Sequence, residues 1–310
     1  MSVNNYDIVI PVFRPKREDL NSLLKKLFSQ SIPPKKVVLI NTISEDTDLS
    51  YIRDDRVEIV NINKNDFDHG GTRRLGESLC REEYVIFMTQ DAVPNNEKTA
   101  EELLKPFSDP EVGVSYARQL PRKDCTPYEV ITRGFNYPPG DKKKTLKDVS
   151  ELGIKAYFCS DVCAAYRRST YEKLGGFDHP LLFNEDMLME YKMLHAGFAV
   201  YYASKAEVIH SHNYTCAQQF HRNFDLGSSQ ADHPEVFESV SSESEGMKLV
   251  KTTLRHLIKI GKPYLIPAFC INCAARYAGF FLGKRYRRLP GKFVLWATSD
   301  SSFWINMRGY

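Results

Sequence analysis

Three short segments carry side chains whose types and spacing could do chemistry. In Tyr84-Val85-Ile86-Phe87-Met88-Thr89-Gln90-Asp91-Ala92-Val93-Pro94, an apolar stretch with the character of a buried strand runs into a carboxylate and then a proline. A carboxylate at a strand end can hold a divalent cation against a diphosphate, where the cation offsets the charge of a leaving group. The same pattern also suits a polar turn after a core strand. Phe183-Asn184-Glu185-Asp186 sets two adjacent acids ahead of a helical stretch. An acid so placed can take a proton from a hydroxyl, and burial or a second carboxylate raises its proton affinity. Asn184 followed by acids equally suits a helix N-terminus and its dipole. Val208-Ile209-His210-Ser211-His212 puts two histidines at alternate positions of an extended segment, so that both rings point the same way, as metal ligands or as plain surface residues.

The elements that must position these groups are readable from periodicity. Tyr6–Phe13, Val37–Ile40, Val57–Ile62 and Tyr84–Met88 read as buried strands. Between them, Leu20, Leu23, Leu24, Leu27 and Phe28 recur at helical spacing, and Gly70–Cys80 reads as a second helix. Strands alternating with helices predict an α/β fold, a mostly parallel sheet with helices on its faces. Ligands of such sheets bind beyond the carboxyl ends of the strands, which gathers Pro11–Arg14, Asn41–Asp48 and Thr89–Pro94 around one crevice. Pro121–Lys147, with four prolines and the run Lys142-Lys143-Lys144, reads as a long loop. Order returns with the apolar run Ala156–Tyr166, a turn at Gly175-Gly176, a helix over Asn184–Ala196, and two short strands at Val200–Ala203 and Val208–Ile209. The Ser/Glu stretch Ser239–Glu245 reads as a linker, dividing a domain over residues 1–240 from an extension over residues 241–310.

Charge separates these two parts. Lys248 to Lys292 holds 11 Lys/Arg and no acid, which leaves 31 basic against 39 acidic residues elsewhere, a net of −8 beneath the overall +3. A basic tail on a mildly acidic body points to a polyanionic partner. Leu249, Thr253, Leu254, Leu257, Ile258 and Ile260 share a helix face, and Tyr264–Gly283 is mostly apolar, interrupted by Pro267, Asn272 and Arg276. Length alone permits a membrane span. The polar interruptions and the cluster Lys284-Arg285-Tyr286-Arg287-Arg288 favour a helix lying at the membrane surface, with a packed helical cap or a homo-oligomer contact as the alternative. Nucleic acid is not the expected partner, because the basic residues are interleaved with a long apolar run. Hydrophobic content of 42% and charge of 26% are those of a folded chain. Seven scattered cysteines and an N-terminus without the basic and apolar regions of a signal peptide predict a reduced, cytoplasmic compartment.

The first chemical segment resembles the DxD region of glycosyltransferase family 2, where a strand is followed by Asp-x-Asp and then proline. Asp91 matches the second Asp and Thr89 stands in place of the first. Thr-Gln-Asp at this position is similar to a rhamnosyltransferase subset of the family. Ile10-Pro11-Val12-Phe13-Arg14 resembles the first strand and its nucleotide-facing turn, and Asn41-Thr42-Ile43-Ser44-Glu45-Asp46-Thr47 stands where the family's acidic loop holds the base. Asp68-His69-Gly70-Gly71-Thr72-Arg73-Arg74-Leu75-Gly76 resembles the glycine-rich helix start. Leu174-Gly175-Gly176-Phe177-Asp178 and Glu185-Asp186 resemble the Gly-Gly-Phe-Asp and Glu-Asp segments, and Gln219 with Arg222 the Gln-x-x-Arg motif.

The resemblance implies a GT-A fold, Rossmann-like with a mostly parallel sheet, carrying the basic helical extension. It implies an inverting transferase with Asp186 as general base and Glu185 as the alternative. Mg²⁺ or Mn²⁺ would be held by Asp91 with His212 or His210. A nucleotide-diphosphate sugar would be bound by Pro11, Phe13, Arg14, Asn41, Ser44, Asp46, Gly71, Arg74, Gln90, Asp91 and Arg222. The first expectation for the donor is dTDP-L-rhamnose, with UDP-GlcNAc or UDP-galactofuranose as alternatives. Thr89 in place of an acid also leaves room for a non-catalytic sugar-nucleotide-binding scaffold. The expected acceptor is a lipid-linked glycan of cell-surface polysaccharide synthesis, met on the inner face of the cell membrane.

Overall fold

The computed structural model describes residues 5–238 and 243–310. In chain order the strands are β1 (Asp7–Phe13), β2 (Lys36–Thr42), β3 (Val57–Ile62), β4 (Tyr84–Met88), β5 (Val93–Pro94), β6 (Val112–Leu120), β7 (Lys142–Lys144), β8 (Cys163–Arg167) and β9 (Ala199–Ile209). The α-helices are α1 (Arg17–Phe28), α2 (His69–Ser78), α3 (Thr99–Leu104), α4 (Pro127–Asn136), α5 (Val149–Leu152), α6 (Arg168–Lys173), α7 (Glu185–His195), α8 (Cys216–Asp232), α9 (Pro234–Phe237), α10 (Glu243–Lys259), α11 (Ile266–Gly283), α12 (Gly291–Ala297) and α13 (Ser301–Arg308). They form two compact units. One comprises Met1–Leu120, Tyr137–Pro180 and Glu185–His210, and the other Pro121–Asn136, Leu181–Asn184 and Ser211–Tyr310.

The first unit is built on one sheet of order β3-β2-β1-β4-β8-β6-β9-β5, with β7 also paired to β9. β3, β2, β1 and β4 run parallel, β8 runs against β4 and β6, and β9 is parallel to β6. The carboxyl ends of β1, β2, β3, β4, β6 and β9 therefore share one edge, where β8 begins. Buried Leu20, Leu23, Leu24 and Leu27 of α1 close one face over the β1 and β2 side chains Ile8, Ile10, Val37 and Leu39. On the other face Phe87, Tyr166, Tyr171 and Phe177 meet edge-on or tilted at centroid distances of 5.0 to 5.9 Å. α2 starts where Asp68 accepts from the Gly71 N–H at 2.8 Å, the N-cap bond that orphan helix donors require. Pro94 sits in the edge strand β5, where a missing N–H is tolerated.

Two local expectations are corrected. Pro121–Lys147 is not loop throughout. It holds the helix α4, which opens on Pro127 and ends before Pro138, and the strand β7, formed by the lysine run itself. Lys144 is buried, its ammonium donating to the carbonyls of Phe158 and of Lys155, the latter at 3.2 Å, and lying 4.9 Å from the Tyr116 ring centre. Burial lowers its pKa to about 8. Lys143 instead pairs outward with Asp109 at 2.8 Å and Glu111 at 2.5 Å. The expected pair of strands at Val200–Ala203 and Val208–Ile209 is one strand, because Asp141 accepts from the Ser204 N–H and hydroxyl and holds the intervening residues extended.

The second unit is helical. Leu182, Phe224, Tyr286, Val294, Ala297, Phe303 and Trp304 form its apolar core. α8 and α11 lie very close, and glycines make this approach feasible. A Cβ on Gly279 would stand 2.2 Å from the Phe220 carbonyl oxygen, and one on Gly283 2.1 Å from that of Phe224. Asp225 is wholly buried and accepts from Thr298 Oγ1 at 2.6 Å and from the Ser299 N–H at 2.7 Å, tying α8 to the start of α13. The expected linker Ser239–Glu245 falls on residues 239–242, outside the described residues, and on the first turn of α10.

Candidate active site

The carboxyl edge of the sheet in the first unit gathers most of the side chains singled out from sequence. β4 ends at Met88, and a tight turn follows in which the Ala92 N–H donates to the Thr89 carbonyl at 3.1 Å. That turn presents the Asp91 carboxylate. Gln90 spans the two strand ends. Its amide oxygen accepts from the Phe13 N–H at 2.9 Å and its amide nitrogen donates to the Phe13 carbonyl at 3.0 Å, locking the end of β1 to the end of β4. Phe13 and Arg14 are exposed, and Arg14 adopts the left-handed backbone conformation at φ 45, a strain that tends to collect at functional turns. Arg14 and Asp46 meet at 3.8 Å in the open.

His210 follows β9 and is held by two contacts. Its N–H donates to the Leu120 carbonyl at 2.9 Å, and its Nδ1 lies 2.9 Å from Gln119 Oε1. Nε2 is thereby directed to Asp91 Oδ2, 3.6 Å away. A carboxylate oxygen and an imidazole nitrogen are a divalent-metal donor set. Thr89 Oγ1, where the family pattern has its first Asp, is buried with no hydrogen-bond partner. An unsatisfied oxygen beside that pair fits a cation site better than a plain polar turn. His212 belongs to the second unit, where its ring stacks on Tyr214 at 4.7 Å. Arg222 lies in the same unit, its guanidinium 4.8 Å from the Tyr214 ring centre and 5.2 Å from that of Phe183.

Asp186 and Glu185 open α7. Asp186 is anchored by backbone donors: the Met187 N–H reaches its Oδ1 at 2.8 Å, and the Asp161 N–H also donates to its carboxylate. Asp161 stands two residues ahead of Cys163, the residue of β8 that pairs with Met88 of β4, and the Thr89 N–H donates to the Val162 carbonyl at 3.2 Å. Asp91 thus follows the end of β4, and Asp186, at the start of α7, is tied by the Asp161 N–H to the segment that leads into the neighbouring strand β8. Burial, and next the Glu185 carboxylate, raise the Asp186 pKa to about 7, against the pull of Arg73 and the two N–H donors.

Around Asp186 the sequence reading missed a buried charge network. Arg73 Nη1 donates to the His69 carbonyl at 3.1 Å and is ion-paired with Glu185 Oε1 at 3.1 Å, and its Nε faces Asp161 Oδ2 at 3.7 Å. Burial disfavours its charge, yet Glu185, Asp161 and Asp186 hold it protonated. Tyr166 Oη lies 2.8 Å from Asp161 Oδ1 and 3.0 Å from Glu190 Oε1. Desolvation pushes both of those carboxyl groups well above the ordinary range. The signals available beforehand were a lone acid inside the apolar run Ala156–Tyr166 and an arginine flanking the glycine pair.

Two sequence candidates turn out to have scaffold partners. Arg74 donates to the Gly175 carbonyl at 2.9 Å and the Phe177 carbonyl at 3.1 Å, clasping the Gly-Gly-Phe turn. Gly71 is glycine because a Cβ would stand 2.4 Å from Asp68 Oδ2, within the N-cap. Asn41 ends β2 beside Asn61 of β3, donating to its Oδ1 at 2.8 Å, while its own Oδ1 is buried with no partner. Both line an open pocket of about 400 Å³ with Thr47, Asp48, Arg53 and Ile59. Ser44 bonds Thr47 at 2.6 Å close by in sequence, and Pro11 lies in β1 near the same edge.

Comparisons with known proteins agree on what this edge belongs to. The sequence model described as glycosyl transferase family 2 matches residues 7–175. The O-antigen chain rhamnosyltransferase WbaN of Salmonella anatum is 33% identical over 306 residues, covering 98% of this chain and 97% of its own. The O-antigen chain rhamnosyltransferase RfbN of Salmonella typhimurium strain LT2 is 36% identical over 290 residues, covering 93% of this chain and 92% of its own. Among solved structures, the mannosyltransferase PcManGT from Pyrobaculum calidifontis, in complex with GDP-Man and Mn²⁺, superposes with a TM-score of 0.57 at 16% identity, over 98% of this chain and 86% of that one. The mixed sheet with its flanking helices is the GT-A architecture that the motifs led one to expect.

Proposed function

We propose that this chain, which belongs to glycosyl transferase family 2 and is a glycosyltransferase, moves L-rhamnose from dTDP-L-rhamnose onto a lipid-linked saccharide in cell-surface polysaccharide synthesis, with inversion at the anomeric carbon. Both curated relatives carry that sugar in their names over nearly the whole chain. The observation that supports the mechanism is that Asp91 ends β4 while the α7 residue Asp186 is hydrogen-bonded to the segment entering the adjacent strand β8. Asp186, with a proton affinity near neutrality, takes the proton of the acceptor hydroxyl as that oxygen attacks the anomeric carbon. Glu185, ion-paired to Arg73, holds the start of α7 in place and raises the proton affinity of Asp186. Asp91 and His210 would hold a divalent ion. When bound, such an ion neutralises charge on the leaving diphosphate, and a site mixing oxygen and imidazole nitrogen favours Mn²⁺ over Mg²⁺. Asn41 and Asn61 read the base, and the exposed Phe13–Arg14 turn faces the diphosphate.

A thermal-shift panel tests donor and metal together. With Mn²⁺ present, dTDP raises the melting temperature more than UDP or GDP, and a ligand at about 100 times its Kd adds about 2.7 kcal/mol of stability. Release of dTDP from dTDP-rhamnose, and none of UDP from UDP-GlcNAc or UDP-galactofuranose, confirms the sugar. Preference for UDP and a UDP-sugar would replace this donor by the other. Absence of turnover with every donor would leave a binding scaffold.

The second unit supports peripheral contact with the cytoplasmic leaflet. Pro263–Gly283 is long and apolar enough to cross a membrane by length and composition, and only 17% of its apolar window is buried. Tyr264, Ile271 and Tyr277 are each at least 62% exposed. Yet α11 is seated through glycines on α8, which carries His221, Arg222, Asn223 and Asp225. A partner so polar favours lying along the surface over spanning. The chain should sediment with phosphatidylglycerol vesicles, lose them as salt rises, and ignore phosphatidylcholine vesicles. Equal sedimentation with both lipids, or with neither, removes the anionic-surface reading.

A further inference from the structure

We infer that Gln119 is a positioning residue for the metal, selecting which nitrogen of His210 is offered to the cation; this rests on the metal reading proposed above. Gln119 is the penultimate residue of β6 and is 3% exposed. Its amide nitrogen donates to Tyr137 Oη at 2.6 Å and to Ser160 Oγ at 2.9 Å. Both amide protons are then directed at hydroxyl oxygens, and the atom that faces His210 Nδ1, at 2.9 Å, is the amide oxygen. An amide oxygen only accepts, so the ring proton of neutral His210 sits on Nδ1.

The consequence falls on the opposite side of the ring. Nε2 is the ring nitrogen without the proton, and it lies 3.6 Å from Asp91 Oδ2. Lone pair against carboxylate is repulsive by itself and becomes favourable with a cation shared between the two. The amide turned over would donate to Nδ1, put the ring proton on Nε2, and fill the space beside Asp91 with a hydrogen bond. The orientation of one buried amide, as the structure places it, therefore separates a ligand from a capped histidine. Partners of this kind orient metal-binding imidazoles and raise their basicity.

The test is Mn²⁺ titrated into the full chain and followed by the loss of the free-ion electron paramagnetic resonance signal, with whichever nucleoside diphosphate stabilises the wild type most. Gln119→Leu should weaken Mn²⁺ binding about 10- to 100-fold. Gln119→Glu should keep wild-type affinity or better it, because a carboxylate accepts from the same Nδ1–H while both hydroxyls turn to donate. A purely structural role predicts instead that a carboxylate at this buried position is the more damaging change. A folded Gln119→Leu that binds Mn²⁺ as the wild type does, or a Gln119→Glu that loses as much as Gln119→Leu, overturns the inference and leaves the metal reading intact. No Mn²⁺ binding by the wild type removes the metal reading itself. If Gln119→Leu does not fold, nitrogen-15 spectra of His210 in the metal-free wild type at about pH 8, above the ordinary histidine range, decide the matter. A proton on Nδ1 supports the inference and a proton on Nε2 overturns it.

Discussion

Asp186→Asn should lower kcat by about 10²- to 10⁴-fold and leave the donor KM within a few-fold, the range expected for losing a general base. The substitution keeps an oxygen for the Met187 N–H donor at the start of α7. Only the capacity to accept a proton at neutral pH is lost. Wild-type kcat should rise with pH and level off above about 7, because the buried carboxyl must ionise before it can act as base. The same shift makes a stability prediction of opposite sign. The folded-state pKa of Asp186 is raised above the ordinary aspartate value near 3.9, so the folded protein retains a proton that the unfolded chain has already released. Its contribution is full below about pH 4 and is lost as pH rises to about 7. Each pKa unit corresponds to about 1.4 kcal/mol. Asn carries no such loss, so urea unfolding should show Asp186→Asn gaining on the wild type between pH 5 and pH 8. A variant that is inactive and also less stable at the higher pH would make Asp186 a scaffold residue.

Arg73→Met should be the most destabilising substitution near the site, by about 3–5 kcal/mol at neutral pH, the cost of leaving buried charges without their partner. Arg73 is 4% exposed and is the cation between Glu185 and Asp161. Methionine fills similar volume, so the loss reads charge rather than packing. With the guanidinium gone, the downward pull of Arg73 on buried Asp161 and Asp186 is lost, their proton affinities rise further, and the folded variant binds protons that its unfolded chain does not. Its stability therefore falls more steeply than the wild type's as pH rises, and the deficit should be small near pH 5 and large near pH 8. Adding Glu185→Gln should recover part of it, because one unpaired charge is removed. A deficit independent of pH would mean that Arg73 acts by packing alone. The network sets opposing pulls on buried Asp186: the Glu185 carboxylate raises its proton affinity and Arg73 lowers it.

Local pattern was sufficient wherever the partner of a residue is near in sequence or is simply the apolar core. β1, β3 and β4 follow from continuous apolar runs, α1 from leucines at helical spacing, and the placement of Asp91 from its position just past a strand. Strands that are parallel send their carboxyl ends to one edge, so the common edge at which Asn41 and Asp91 lie was also implied. α4 left a readable trace that the reading of a loop passed over: Pro127 is its first residue and Pro138 follows its end, the positions where proline delimits a helix rather than breaking it.

What only the tertiary structure decided is the pairing of polar groups distant along the chain. Three adjacent lysines normally mark a solvated face, but in a strand successive side chains alternate, so Lys143 meets acids while Lys144 is turned inward onto carbonyls and aromatic rings. Gln90 and Arg74 look like ligands from their motifs and become clasps because the chain brings Phe13 and the Gly175–Phe177 carbonyls to them. Arg73, Asp161 and Glu190, and Gln119 with His210, are separated by tens of residues, and no periodicity links them. The sequence thus determined the reaction class, because that needs only the right groups at the right strand and helix ends. The proton affinity of Asp186 and the orientation of His210 were decided by folding, because desolvation and hydrogen-bond geometry exist only once distant segments have packed.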